Sequence, residues 1–95
     1  MKLISIKPSP KADKKLVAKF ENNGREKNIH FGAKGSSTYV DHKDKDKKAA
    51  WLARHKVRGD FNKPDTPSSL AKHILWGNST SQRENISSFK RRFNL

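Results

Sequence analysis

Four histidines, His30, His42, His55 and His73, and the run Asp41-His42-Lys43-Asp44 are the side chains whose types could support metal or hydrolytic chemistry. A metal-dependent nuclease needs convergent carboxylates around its ion. A structural zinc site needs four ligands at recognisable spacings. His42 and Asp44 stand before His55 at no such spacing, and the chain has no cysteine, which excludes disulfides and thiolate metal sites. Asp41 and Asp44 read better as acids at the start of a helix, where they suit its positive end. Arg54-His55 reads as a clamp on that acidic turn or on a phosphate. No Ser/His/Asp arrangement is legible. The sequence predicts a protein that is not an enzyme and that needs no metal or cofactor.

What remains is charge. The 95 residues hold 22 Lys+Arg against 9 Asp+Glu, a formal net charge of +13, with only 32% hydrophobic residues. Such an excess costs self-repulsion in a compact state and points to a polyanionic partner. The charge is spread along the chain: 9 basic and 4 acidic groups lie in residues 1–41, 7 and 2 in 42–59, and 6 and 3 in 60–95. A disordered basic arm would concentrate it, so the pattern predicts one folded basic domain over residues 1–95. The segment His42 to Gly59 is the most basic and leads the candidate nucleic-acid contacts with Lys43, Lys47, Lys48, Arg54 and Arg58. Lys34 in a small-residue loop and Lys90, Arg91 and Arg92 near the end join them. Few Asn or Gln side chains accompany the basic segment, so phosphate contact is expected over base-edge readout.

These residues need elements to hold them. Leu3, Ile4 and Ile6 within Lys2–Lys7 make a candidate strand, stopped by Pro8 and Pro10. Lys15–Glu21 and Arg25–Phe31 flank Asn22-Asn23-Gly24, a strong hairpin signal because Asn and Gly tolerate positive φ. Val17 and Phe20 cannot share a face by strict alternation, which leaves a bulge or a two-sided strand. Ile29 and Phe31 share one face of the return strand, and the other is expected to offer Lys27 and the polar groups beside His30. Gly32–Ser37 lacks the Gly-Lys-Ser/Thr ending of a Walker loop and reads as an ordinary turn.

A first helix is expected from an Asp41 cap to about Val57, stopped at Gly59. Ala50, Ala53 and Val57 form one stripe of it, Trp51 and His55 another. Trp51 reads as core in preference to a stacking platform, and Tyr39 likewise. Phe61 should fold back over the core. A second helix runs Pro67–Trp76, capped by Thr66 and stopped by Gly77. It is the most apolar and should be the central core helix. A third starts with a capping box, Ser81 with Glu84 or Ser79 with Gln82, and ends near Phe93. Its Ile86, Phe89 and Phe93 make a buried stripe. The first residues carry too short an apolar run for a signal peptide, and no run nears the roughly 20 residues of a membrane span.

The blocks Phe31-Gly32, Tyr39-Val40-Asp41-His42-Lys43-Asp44, Arg54-His55, Pro64, Ile74-Leu75-Trp76-Gly77, Asn85-Ile86 and Phe89-Lys90-Arg91-Arg92-Phe93 resemble, in residues and spacing, a small and poorly characterised family of basic proteins from large nucleocytoplasmic DNA viruses. The resemblance covers roughly two-thirds of the chain, from Asn28 to the end, and the hairpin before it is alike in character only. It departs at Lys47-Lys48-Ala49-Ala50 and Ser68-Ser69-Leu70. It implies a short β-hairpin region followed by helices and a viral or virion setting, without an established activity.

Together these readings predict an α+β domain: an N-terminal hairpin, with Lys2–Lys7 as a candidate third strand, packed on about three short helices. The expected function is sequence-tolerant DNA binding by a viral protein, with genome packaging or organisation as its setting. Duplex DNA is the favoured partner and RNA the second. The protein is placed in the virion, or in the host nucleus or cytoplasm during infection, with other virion proteins as further partners and no membrane. The alternative is a structural virion protein whose basic face binds acidic partners or the inner capsid.

Overall fold

The computed structural model describes residues 1–35, 37–55 and 61–95. Three antiparallel strands come first, β1 (Lys2–Pro8), β2 (Lys14–Asn22) and β3 (Arg25–Ala33), in the order β1-β2-β3. The helical half follows: α1 (Tyr39–His42), α2 (Lys45–His55), α3 (Pro67–Leu70), which runs on into a π-helical turn (Ala71–Leu75), and α4 (Gln82–Phe93). The α+β architecture expected from the sequence is present, with the candidate strand as a full member of the sheet.

The hairpin forms where Asn-Gly placed it. Asn23 (φ 54°) and Gly24 (φ 80°) turn the chain between Asn22 and its partner Arg25. Two successive positive φ values match the right-handed twist of the flanking strands. Leu16, Ala18 and Phe20 then face Phe31, Ile29 and Lys27 across the ladder. All five apolar members are buried, so β2 puts Leu16, Ala18 and Phe20 inward and Val17 outward. Lys27 therefore belongs to the Ile29 face, not the opposite one as expected. It sits at the sheet's end, where its ammonium meets Asp65 at 3.3 Å.

The bulge suggested by the uneven pattern lies in β1, not β2. Leu3 opposes Phe20 and Ser5 opposes Lys19, leaving Ile4 as the extra residue. That insertion puts Leu3 and Ile6, three apart, on one face. Leu3 is buried and Ile6 packs against the core, while Ile4 is 48% exposed.

Gly32 closes β3 with φ 79°, and a Cβ there would meet Leu75 Cδ1 at 2.8 Å. Only glycine allows both that backbone and that approach. The helical half covers the inner face of the sheet with Tyr39, Leu70, Ile74, Leu75, Trp76 and Phe89, all buried. The expected central helix is there, capped by Thr66, whose hydroxyl accepts from the Ser69 N–H at 3.2 Å. Of the third helix's stripe only Phe89 is fully buried, and Ile86 and Phe93 lean on the core's edge. The residue buried beside Phe89 is the polar Asn85.

The first expected helix breaks in two. Lys43 adopts the left-handed conformation (φ 57°) and ends α1 after one turn. Asp41 is inside that turn: its carboxylate accepts from the Thr38 N–H at 2.8 Å and from the Thr38 hydroxyl at 3.0 Å. The cap of α2 is Asp44, whose Oδ1 accepts from the Asp46 N–H at 2.9 Å. The Asp44 N–H is taken by His42 Nδ1 at 2.9 Å. These local bonds compete with helix continuation and win. The expected end at Val57 and stop at Gly59 lie outside the described residues.

Candidate nucleic-acid interface

Helix α2 has no fully buried residue, and Ala50 and Ala53, expected as a stripe, are exposed. Its inward side is instead Lys48, Trp51, Leu52 and His55, all half-buried, at i, i+3, i+4 and i+7. Lys48 belongs there because its stem lies along apolar surface while its head reaches polar groups. Its Nζ donates to the Gly77 carbonyl at 2.8 Å and lies 4.7 Å from the centre of the Tyr39 ring. The Trp51 ring stacks on Trp76 at 5.1 Å and on His55 at 4.1 Å, so it anchors α2 to the core's edge through its faces. His55 Nδ1 donates to the Trp51 carbonyl at 2.9 Å, and His42 leans on Trp76 at 5.2 Å.

Two cavities flank this anchored helix. One, of about 620 Å³, lies among α1, α2, α3 and the end of the sheet. Trp51, Trp76, His42 and His55 line it, with Lys14, Lys47 and Arg54 as its cations. The other, of about 430 Å³, lies among α2, the π-helical turn and α4, and its cations are Lys48, Lys72 and Arg92. Burial first, then the charges of Arg92 and Lys48, push the Lys72 ammonium below the usual lysine range. Lys48 is pushed the same way by burial and then by Lys45.

The sequence candidates thus divide. Lys47 and Arg54 share one cavity, and Lys48 and Arg92 the other. Lys34, Lys43, Lys90 and Arg91 are exposed and line neither cavity. The Lys34 backbone N–H donates to the Asp13 carbonyl at 3.1 Å, so it closes a turn. Arg91 reaches the Ser88 hydroxyl at 3.2 Å. Arg58 lies outside the described residues. Of the two targets read for the Arg54-His55 clamp, the acidic turn is otherwise engaged: His55 turns to Trp51, while Asp41 is held by Thr38 and Lys15, and Asp44 caps α2. Lys14 and Lys72 were missed. Lys72 is the lone Lys or Arg on the most apolar helical segment, a signal available in the sequence.

Charge compensation is uneven. The ion pairs among the described residues are Lys15–Asp41 (3.3 Å), Lys19–Glu26 (3.5 Å) and Lys27–Asp65 (3.3 Å), each on a lysine of the sheet. Among those residues no carboxylate pairs with Lys47, Lys48, Arg54, Lys72, Lys90, Arg91 or Arg92. No group of three His, Asp or Glu among them could hold a metal ion, and no helix there is long and apolar enough to cross a membrane.

A family model described as a family of unknown function (DUF5754) matches residues 4–55, more than half of the chain. The chain belongs to this family. The DUF5754 match takes in most of β1 and all of β2, β3, α1 and α2. It thus includes the residues before Asn28, which the sequence resemblance matched in character only, and ends before α3 and α4, which that resemblance included. No curated protein and no solved structure matches the chain.

Proposed function

We propose that this protein binds DNA without enzymatic chemistry and largely without regard to sequence, as a component of a large DNA virus that packages or organises its genome. The observation that carries the reading is the separation of charge: every carboxylate ion pair among the described residues falls on a lysine of the sheet, Lys15, Lys19 or Lys27, and the cations of α2, the π-helical turn and α4 have none there. Cations left uncompensated on neighbouring elements favour a partner with closely spaced negative charge, and the phosphate backbone is such a partner. The exposed Lys47, Arg54, Lys90 and Arg91 reach outward as backbone contacts do. The viral setting rests on the sequence resemblance.

The test is binding to a duplex of arbitrary sequence and to its single strand across a salt series. Five phosphate contacts give a slope of about −4.5 in log affinity against log salt on duplex. Affinity of that steepness, equal for unrelated sequences, supports the proposal. No binding to either form at low salt overturns it and turns attention to acidic protein partners.

A further inference from the structure

Three cations from three different elements line the cavity of about 430 Å³: Lys48 of α2, Lys72 of the π-helical turn and Arg92 of α4. Among the described residues none of them has an anionic partner. Lys48 Nζ holds a carbonyl oxygen at 2.8 Å. Lys72 Nζ stands 5.4 Å from the centre of the Phe61 ring, and Arg92 Cζ 5.7 Å from that of Phe93. The other titratable groups on the wall are His73 and Glu84. His73 donates to the Phe61 carbonyl at 3.0 Å, and the Glu84 carboxylate accepts from the Ser79 hydroxyl at 2.6 Å. Like charges gathered on a partly desolvated wall repel one another, and water screens them less than at an open surface.

We propose that this cavity is a phosphate-binding pocket, in which Lys48, Lys72 and Arg92 together hold one phosphate group of the DNA backbone. The assignment rests on the DNA-binding reading and names its anchor. A guanidinium offers two donors to a phosphate and each ammonium a compact charge, so the trio supplies directional and non-directional contact together. A cavity this size is larger than a phosphate alone needs, which leaves room for the sugars on either side. The lowered pKa of Lys72 fits the same picture: an anion in the pocket removes the repulsion that burial aggravates.

Thermal unfolding of the whole chain in phosphate, against chloride at equal ionic strength, reads the pocket directly, and duplex binding is measured alongside. In the wild type, phosphate should raise the unfolding temperature to a plateau. Lys72→Met keeps the aliphatic stem and removes the charge, so it should melt higher than wild type in chloride and lose most of the phosphate response. Arg92→Gln, at an exposed side chain, should lose that response without disturbing the fold. Each variant should bind duplex about tenfold less tightly, as removal of one charge-assisted hydrogen bond predicts. A phosphate response that is absent in wild type, or intact in both variants, overturns the pocket whatever the DNA result. A response that vanishes in the variants supports it. Duplex binding that is absent even so removes the DNA reading and leaves the pocket to free phosphate.

Discussion

Asn85 brackets the backbone of Ser79 from both sides. Its Oδ1 accepts from the Ser79 N–H at 3.0 Å, and its Nδ2 donates to the Ser79 carbonyl at 2.8 Å and to the Ile74 carbonyl at 2.9 Å. The side chain is 3% exposed and ties the end of the π-helical turn to the start of α4. Asn85→Ala strips partners from three backbone groups at once. The expected loss is about 3 kcal/mol, since each buried group left unsatisfied costs about 1–3 kcal/mol. Urea unfolding of the variant checks it, and a loss below about 1 kcal/mol is incompatible with this role.

Gly77 makes that bracket possible. A Cβ at this position would collide with the His73 carbonyl oxygen and stand 2.7 Å from the Asn85 side chain. Backbone cannot step aside as a flexible side chain can. Gly77→Ala should therefore destabilise by about 2 kcal/mol, a typical overpacking cost. Gly35→Ala, with nothing within 4 Å of the added carbon but φ at +87°, is the control for backbone strain alone. Unfolding midpoints of the two variants separate collision from strain.

Asp41 stabilises α1 only when ionised. The Thr38 N–H, first among the causes, holds its carboxyl below the ordinary range, helped by the Thr38 hydroxyl and Lys15 against the cost of burial. A depressed carboxylate pKa contributes stability at neutral pH that is lost as pH falls through the folded value. The group is half exposed, so the effect is small. Asp41→Asn should cost no more than about 1 kcal/mol at pH 7. The gap between variant and wild type should close in acid, as unfolding at pH 7 and pH 3 will show.

The cations around the second cavity give the protein a pH signature at both ends. Burial, with Lys72 and Arg92 adding, holds His73 below the usual imidazole range, although its bond to the Phe61 carbonyl opposes the shift. The unfolded chain then takes up that proton first, so stability should fall as pH drops below about 6.5. For Lys72 the fold releases its proton first. Stability should rise as pH climbs through its lowered pKa towards the ordinary lysine value of about 10.4. Unfolding curves from pH 5 to pH 10, for wild type, His73→Gln and Lys72→Met, assign each limb. An acid limb that persists in His73→Gln, or an alkaline limb undiminished in Lys72→Met, contradicts the assignment; Lys48, lowered likewise, supplies what remains of the alkaline limb.

The sheet was legible because its signals are local. Asn22-Asn23-Gly24 set the turn, and Ile29 with Phe31 marked one face of β3, whereas Val17 and Phe20 left the face of β2 open. The bulge at Ile4 was not assignable to β1, because it is the pairing with β2 that shows Leu3 and Ile6, three apart, on one face. The helices were harder where polar residues do core work. Asp44 reads equally as an early helical acid and as a cap that restarts the helix. The inward stripe Lys48, Trp51, Leu52 and His55 has helical spacing, but it is visible only when lysine is counted by its stem. Of the two stripes the sequence offered, Trp51 with His55 is the inward one, and Ala50 and Ala53 lie on the exposed side. Most of the cations of the candidate interface were legible as a class, whereas their grouping into two cavities depends on segments far apart in sequence coming together.

The central claim is that the helical half, and not the sheet, meets the DNA. It is tested by two triple variants that remove equal charge: Lys47→Gln, Arg54→Gln and Arg92→Gln from the helices, and Lys2→Gln, Lys7→Gln and Lys11→Gln from the sheet and its first turn. All six side chains are exposed and free of ion pairs among the described residues. Duplex affinity is followed by fluorescence anisotropy over a salt series. The helical set should weaken binding well beyond tenfold and flatten the salt slope by about 0.9 for each phosphate no longer neutralised. The sheet set should leave the slope unchanged. Equal losses in both sets would contradict a face-specific interface and reduce the interaction to net charge alone.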